Sequence, residues 1–409
     1  MRHHQRPPLS PEAAAVLSAS GLSRRTLMRG LLAGGAFVAA GGALAACGTA
    51  PAKKSQAKAC TATDISATDK KLVFSNWPLY IDVDDNDAKK RPSLDEFTAK
   101  TGIAVTYQED INDNTEFFGK IRNQLQACQD IGRDVIVMTD WMAAKLVDLG
   151  WLQKIDSTKM PNFTKNLLPT LQHRPWDKDM QYAAPWQSGL TGLAYNGHVT
   201  KEIRTVDELL TRPDLKGKVA VLTEMRDTMG LLLQSMGKNP LDFTEADFDA
   251  ALEKLKKAVS DGQIRKFTGN DYKEDLAKGD LAACFAWSGD IIQLQSKDDQ
   301  IKFVAPESGL MLWSDNMLVP STATHKANAE QLMDHYYDPK VAAEVAAYVN
   351  YICPVAGARE AMKDISPDLV DNQLIFPDEA TLAKTKGFKA LSEADSRKYE
   401  QKFQTVAGA

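Results

Sequence analysis

The chain has 409 residues, 44% of them hydrophobic and 25% charged, with a formal net charge of -5. These values fit a globular protein with material for two or three domains. No dense Lys/Arg stripe is present, which argues against a nucleic-acid binder, and the acidic balance favours cationic over anionic partners.

Residues 1–46 read as an export leader. "SRRTLMRG" (23–30) sets Arg24 and Arg25 ahead of a Gly-rich, moderately apolar stretch that ends in "LAAC", Leu44 to Cys47. Positive flank, apolar core and small residues make a secretory signal, and the twin Arg points to the folded-protein export route. The LAAC box resembles bacterial lipoprotein signals, in which Cys47 becomes the lipidated first residue. The expected location is the outer face of the cell membrane, or the periplasm; an uncleaved anchor helix is the alternative. The leader holds five Arg and one Glu, so its removal leaves a formal charge of -9. The small, polar run 47–70 reads as a flexible tether. Cys60, Cys128, Cys284 and Cys353 remain, and an exported protein permits disulfides. No metal-site spacing, no H-E-x-x-H, no G-x-S-x-G and no phosphate loop is present, so no cofactor and no catalytic centre is implied.

Beyond the tether, short apolar runs alternate with helical patterns. Strands are predicted at 71–77, 102–108, 134–138, 191–196, 218–224, 280–287, 301–306 and 316–320. Helices are predicted at 93–102, 115–130, 140–151, 205–215, 228–239, 244–261, 326–339 and 339–350. In the first of these helices Ser93 is the expected N-cap and Gly102 the stop. Such alternation predicts an α/β protein with largely parallel sheets. Pro and Gly in "PWQSGLTG" (185–192) and "PESGLMLW" (306–313) read as breaks between two α/β domains. Domain I is expected over 70–188 and 314–370, domain II over 189–313, with C-terminal helices at 371–409 near the hinge.

Aromatic and acidic residues collect just past the predicted strand ends. Trp77 and Tyr80 follow the first strand; Thr139, Asp140 and Trp141 follow the third; Glu224 and Asp227 follow the fifth, and Trp287 ends the sixth. Trp313 and Asp315 stand two apart in an apolar run and share one face of a strand. Each has a plain reading: a Trp as core lid, Asp140 as helix cap, Glu224 and Asp227 paired with Arg226 or solvated. Cys284 reads as a small buried hydrophobe. Together they point to a cleft at the carboxyl ends of the strands. Aromatic faces beside carboxylates suit an organic cation.

Nearly all of 71–360 resembles bacterial spermidine/putrescine-binding proteins, the extracytoplasmic receptors of polyamine ABC importers. The resemblance rests on "NWPLYI" (76–81), "DVIVMTDWMAAKLVDLGWLQKID" (134–156), "YAAPW" with "GLAYN", "TEMRDTMG" (223–230), "GDLAACFAWSGD" (279–290), "LWSDNMLVP" (312–320) and "YICPVAGARE" (351–360). It implies a two-domain type II periplasmic-binding-protein fold with a ligand cleft between domains. It also implies a monomer that closes on a polyamine and hands it to a membrane-embedded ABC permease. Trp77, Tyr80, Trp141, Trp287 and Trp313 become walls around the methylene chain. Glu224, Asp227 and Asp315 become amine ligands, and Thr139 and Tyr351 supply hydroxyls. The chain departs from the family pattern at Leu79, where Glu is usual, at Asp140, where a neutral residue is usual, and at Lys389, where an amide is usual. A receptor for another organic cation or small organic solute is the alternative. An exported enzyme and a partner-binding lipoprotein are the readings from other classes. If disulfides form, Cys60–Cys128 is the tolerable pair, whereas Cys284–Cys353 would tie one domain to the other.

Overall fold

The computed structural model describes residues 60–84 and 86–408; the leader, the twin Arg and Cys47 lie outside the described residues. Ten strands form one sheet in the order β2-β1-β3-β9-β4-β7-β5-β6, with β10 on β9 and β8 on β4. They are β1 (Lys71–Asn76), β2 (Ala104–Glu109), β3 (Val135–Thr139), β4 (Ala183–Asn196), β5 (Val219–Leu222), β6 (Ile264–Thr268), β7 (Ala283–Trp287), β8 (Ile301–Val304), β9 (Leu310–Leu318) and β10 (Thr385–Lys386). β1 pairs in parallel with β2 and β3, and β5 with β6 and β7. Between these two parallel sets, β4 and β9 run antiparallel to each other. The helices used below are α1 (Pro92–Thr101), α2 (Asn114–Gln126), α3 (Asp140–Asp148), α4 (Met225–Ser235), α5 (Glu245–Ser260), α6 (Ser288–Gln295) and α7 (Glu393–Ala407).

The expected break at 185–192 is instead the middle of β4, a 14-residue strand buried almost throughout. A register shift between Pro185 and Ser188 bends it, as a bulge does. Its glycines allow close packing rather than a turn. A Cβ on Gly189 would lie 2.2 Å from the Trp313 ring, and one on Gly192 would lie 2.7 Å from the Val304 carbonyl oxygen. The second expected break likewise contains the start of β9. Strand β6 was not predicted, because Arg265 and Lys266 interrupt its apolar pattern; it is the outermost strand of its parallel set, with those residues partly in solvent. The two-residue β10 carries no sequence signal.

Two local expectations are corrected. Arg91, not Ser93, precedes α1, and no side chain caps it. The Ser93 hydroxyl turns inward to the buried Asp82 carboxylate. Residues 60–70, expected as tether, are docked: Ala62 N–H donates to the Ser321 carbonyl at 2.9 Å and Ile65 N–H to Thr324 at 2.8 Å. Cys60 is bonded to Cys128, while Cys284 and Cys353 are free and buried. Within 371–409, Glu379–Leu382 and α7 are helical. α7 packs on α5 and β6, with Tyr399 against Phe248 at 4.4 Å and Phe403 against Phe267 at 5.9 Å between ring centroids. No helix among the described residues is long and apolar enough to cross a membrane.

Candidate functional site

β1, β3, β5, β7 and β9 deliver aromatic and acidic residues to one cavity of about 840 Å³. Trp77, Tyr80, Thr139, Asp140, Trp141, Glu224, Asp227, Trp287, Trp313, Asp315 and Tyr351 all line it. Thr139 ends β3 and Trp287 ends β7, so both face the cavity from carboxyl-terminal strand ends. Asp315 lies opposite Thr139 in the β3–β9 register, and Gly189 opposite Trp313 in the β4–β9 register. Tyr351 is brought alongside by a bridge between Ser188 and Ile352.

Five rings form a continuous edge-to-face chain. Trp77 meets Trp287 at 6.0 Å, Trp287 meets Trp313 at 6.4 Å, Trp313 meets Tyr351 at 5.4 Å, and Tyr351 meets Tyr80 at 5.1 Å. Edge-to-face contacts of this kind hold each ring's orientation. Hydrogen bonds add to it. The Trp77 indole donates to the Val137 carbonyl at 3.1 Å, and the Asp290 N–H donates to the Tyr351 hydroxyl oxygen at 3.3 Å.

Two buried carboxylates meet this box. Asp315 accepts from the Thr139 hydroxyl at 2.7 Å and the Tyr80 hydroxyl at 3.1 Å. Asp227 accepts from the Trp287 indole at 2.8 Å. All three donors are neutral, and among the described residues neither carboxylate has a cation within ion-pair distance. Burial pushes Asp315 up to about 7 and Asp227 up to about 6, against the pull of these hydrogen bonds. Such a carboxyl gains most when a positive group enters.

The other two predicted acids already hold cations. Asp140 is paired with Arg174 at 2.8 Å and accepts from the Asn316 amide at 2.8 Å. It is therefore neither a free amine ligand nor a simple helix cap. Burial raises its carboxyl and Arg174 draws it back down. Glu224 lies 3.7 Å from Arg226 and accepts from the Asn114 amide at 3.3 Å. Burial pushes Glu224 up to about 8, with Arg226 opposing. The Trp141 face is covered by the Arg226 guanidinium at 3.7 Å. Leu79 does not line the cavity: it is exposed in the left-handed region at φ 57°, and its carbonyl accepts from Gln293 at 3.2 Å. Lys389 does line it, with its ammonium turned to the Phe243 carbonyl at 3.1 Å.

Sequence reasoning missed Arg174, whose signal was the Arg-Pro-Trp run in a loop; its guanidinium stacks on Trp176 at 4.4 Å. It missed Asn114, which joins Thr139 to Glu224. It also missed Asp290, which stood in a quoted segment and is buried against Lys273 at 3.2 Å and the Tyr272 hydroxyl at 2.9 Å. No group of three or more His, Cys, Asp or Glu among the described residues is arranged to hold a metal ion.

The model of the bacterial extracellular solute-binding protein family matches residues 93–376. The spermidine/putrescine-binding periplasmic protein of Escherichia coli K12 is 26% identical over 337 residues, covering 82% of this chain and 91% of that protein. Spermidine/putrescine-binding periplasmic protein 1 of Haemophilus influenzae is 27% identical over 364 residues, covering 89% of this chain and 94% of that protein. A solved Listeria monocytogenes chain, described as a spermidine/putrescine ABC transporter, is 27% identical with a TM-score of 0.70, covering 82% of this chain and 98% of that one. The fold is thus the two-domain α/β fold of periplasmic solute-binding proteins, with β4 and β9 as the strands common to both halves of the sheet. The chain belongs to the bacterial extracellular solute-binding protein family, whose members capture solutes and are not enzymes.

Proposed function

We propose that this protein captures a polyamine in the 840 Å³ cavity and delivers it to an ABC permease. The observation that carries the reading is the pair Asp227 and Asp315. Each is buried, each is held by neutral donors, and each stands at the edge of a five-ring aromatic box. Ring faces accept the charge and methylenes of an aliphatic ammonium, and the carboxylates accept its N–H bonds. The relatives named for spermidine and putrescine support the same ligand class. In this reading domain I is 70–188 with 314–370, domain II is 189–313, and β4 and β9 carry the hinge. Closure on the amine shifts an open population to the closed one that the permease reads. The protein acts as a monomer, exported by the twin-arginine route and anchored through lipidated Cys47. Calorimetric titration of the chain after residue 46 with putrescine and spermidine tests the ligand; no heat and no rise in melting temperature with either amine would remove the reading. Cys47→Ala tests the anchor: the variant should leave the membrane fraction.

A further inference from the structure

A second station with the chemistry of the first lies in the same cavity. It consists of the Trp141 face with Glu224 and Glu400, and it is already filled by the chain. The Arg226 guanidinium lies 3.7 Å from the Trp141 ring centre, 3.3 Å from Glu400, 3.7 Å from Glu224, and donates to the Ser396 hydroxyl at 3.0 Å. Arg226 is buried on the first turn of α4, and Glu400 and Ser396 come from α7, which lies beyond the family match. Next to it Lys145 faces the cavity over the Phe118 ring at 4.1 Å, and among the described residues no carboxylate lies within ion-pair distance of it. Burial and the Arg226 charge depress its amine, while Glu400 and Glu393 oppose them.

We infer that Arg226 is a resident cation that occupies the second amine station and makes the site selective for a diamine over a longer triamine. This rests on the polyamine reading and adds a length and charge rule to it. Two open carboxylates, Asp227 and Asp315, match two ammonium groups. A third ammonium would meet the guanidinium and Lys145, and like charges brought together in a desolvated site are strongly unfavourable. Leu79, exposed and outside the lining, offers no alternative carboxylate at the opening.

The test is a calorimetric comparison of putrescine and spermidine on the wild-type chain, Arg226→Met and Arg226→Lys, with a melt of each. The wild type should bind putrescine at least about tenfold tighter than spermidine. Arg226→Met frees Trp141, Glu224 and Glu400 and should narrow or invert that ratio; Arg226→Lys keeps the cation and should retain it. Equal wild-type affinities, or a ratio unmoved in a folded Arg226→Met, would overturn the inference and leave the polyamine reading standing. The wild-type ratio decides the matter even if Arg226→Met does not fold. Absence of binding by either amine would remove both.

Discussion

Asp315 receives two hydroxyl hydrogen bonds, and among the described residues no cation stands within ion-pair distance of it. Asp315→Asn keeps its shape and removes its charge. If it anchors an ammonium, the variant should lose roughly 2–5 kcal/mol of binding, a thirtyfold loss or more. Trp313→Leu should cost less, on the order of 0.5–2 kcal/mol for the cation–π contribution plus lost packing. Titration beside a melt of each ligand-free variant checks both; unchanged affinity with a destabilised fold would make Asp315 a structural group. The same residue sets a pH dependence. Its folded carboxyl sits at about 7, above the ordinary 3.8, and Asp227 sits at about 6. The native ligand-free state therefore holds more protons than the unfolded chain between about pH 4 and 7. The stability these groups contribute is full below about pH 4 and is lost as pH rises through 6 to 7. Ligand binding runs the other way, because an ammonium needs ionised carboxylates. Affinity should fall by about tenfold or more from pH 8 to pH 5.5, while over the same acidification these two groups raise the melting temperature of the ligand-free form. An affinity flat over that range would mean that these carboxylates do not anchor the ligand.

At the scale of elements, β4 and β9 decide where the rings stand. The Pro and Gly runs readable in the sequence divide the chain at 185–192 and 306–313, yet these segments belong to the paired centre of the sheet. Gly189 shows the physical reason: it is a strand residue without a side chain because the Trp313 ring fills that space. Gly189→Ala requires no unusual backbone angle but forces the indole aside. It should destabilise the protein by roughly 1–3 kcal/mol through overpacking and weaken ligand binding as well. Denaturant melts and titration check this, and wild-type values in both would mean that Trp313 has room to move. The longer helices were legible because their caps and periods are local, whereas Tyr272–Lys278, Ser288–Gln295 and Ala358–Ile365, of seven or eight residues each, were not. α5 begins at Thr244 with a capping box to Asp247, and α1 ends at Gly102 at φ 71°. Strand β6 was not, because as an outer strand it carries charge on its solvent side.

At the scale of the whole molecule, hydrogen bonds join the segments around β1–β3 to those around β5–β7. The Thr223 hydroxyl donates to Asp113 at 2.8 Å, the Asn270 N–H donates to the Asn112 side chain at 3.1 Å, and Gln293 reaches the Leu79 carbonyl. The disulfide lies elsewhere: Cys60–Cys128 fastens the docked residues 60–70 to the end of α2. Peptide mapping without reduction should return the 60–128 pair, with Cys284 and Cys353 as free thiols. Cys284 and Cys353 are both buried, and burial pushes the Cys353 thiol up to about 12. Both should resist alkylation until the protein unfolds. A 284–353 cross-linked peptide would contradict the pairing.

The sequence by itself determined the class of the fold and picked out residues that line one cavity. Strand–helix alternation, and aromatic and acidic residues at strand ends or on one strand face, are local signals; the ten residues chosen from them line one cavity, as does Tyr351, which the family resemblance supplied. Only the tertiary structure decided which acids are open. Asp140 and Glu224 look the same in sequence as Asp227 and Asp315, yet Arg174 lies 34 residues from Asp140, and Glu400 reaches Arg226 across 174. Charge pairing depends on distance in space, which falls off within a few ångströms and has no periodicity along the chain.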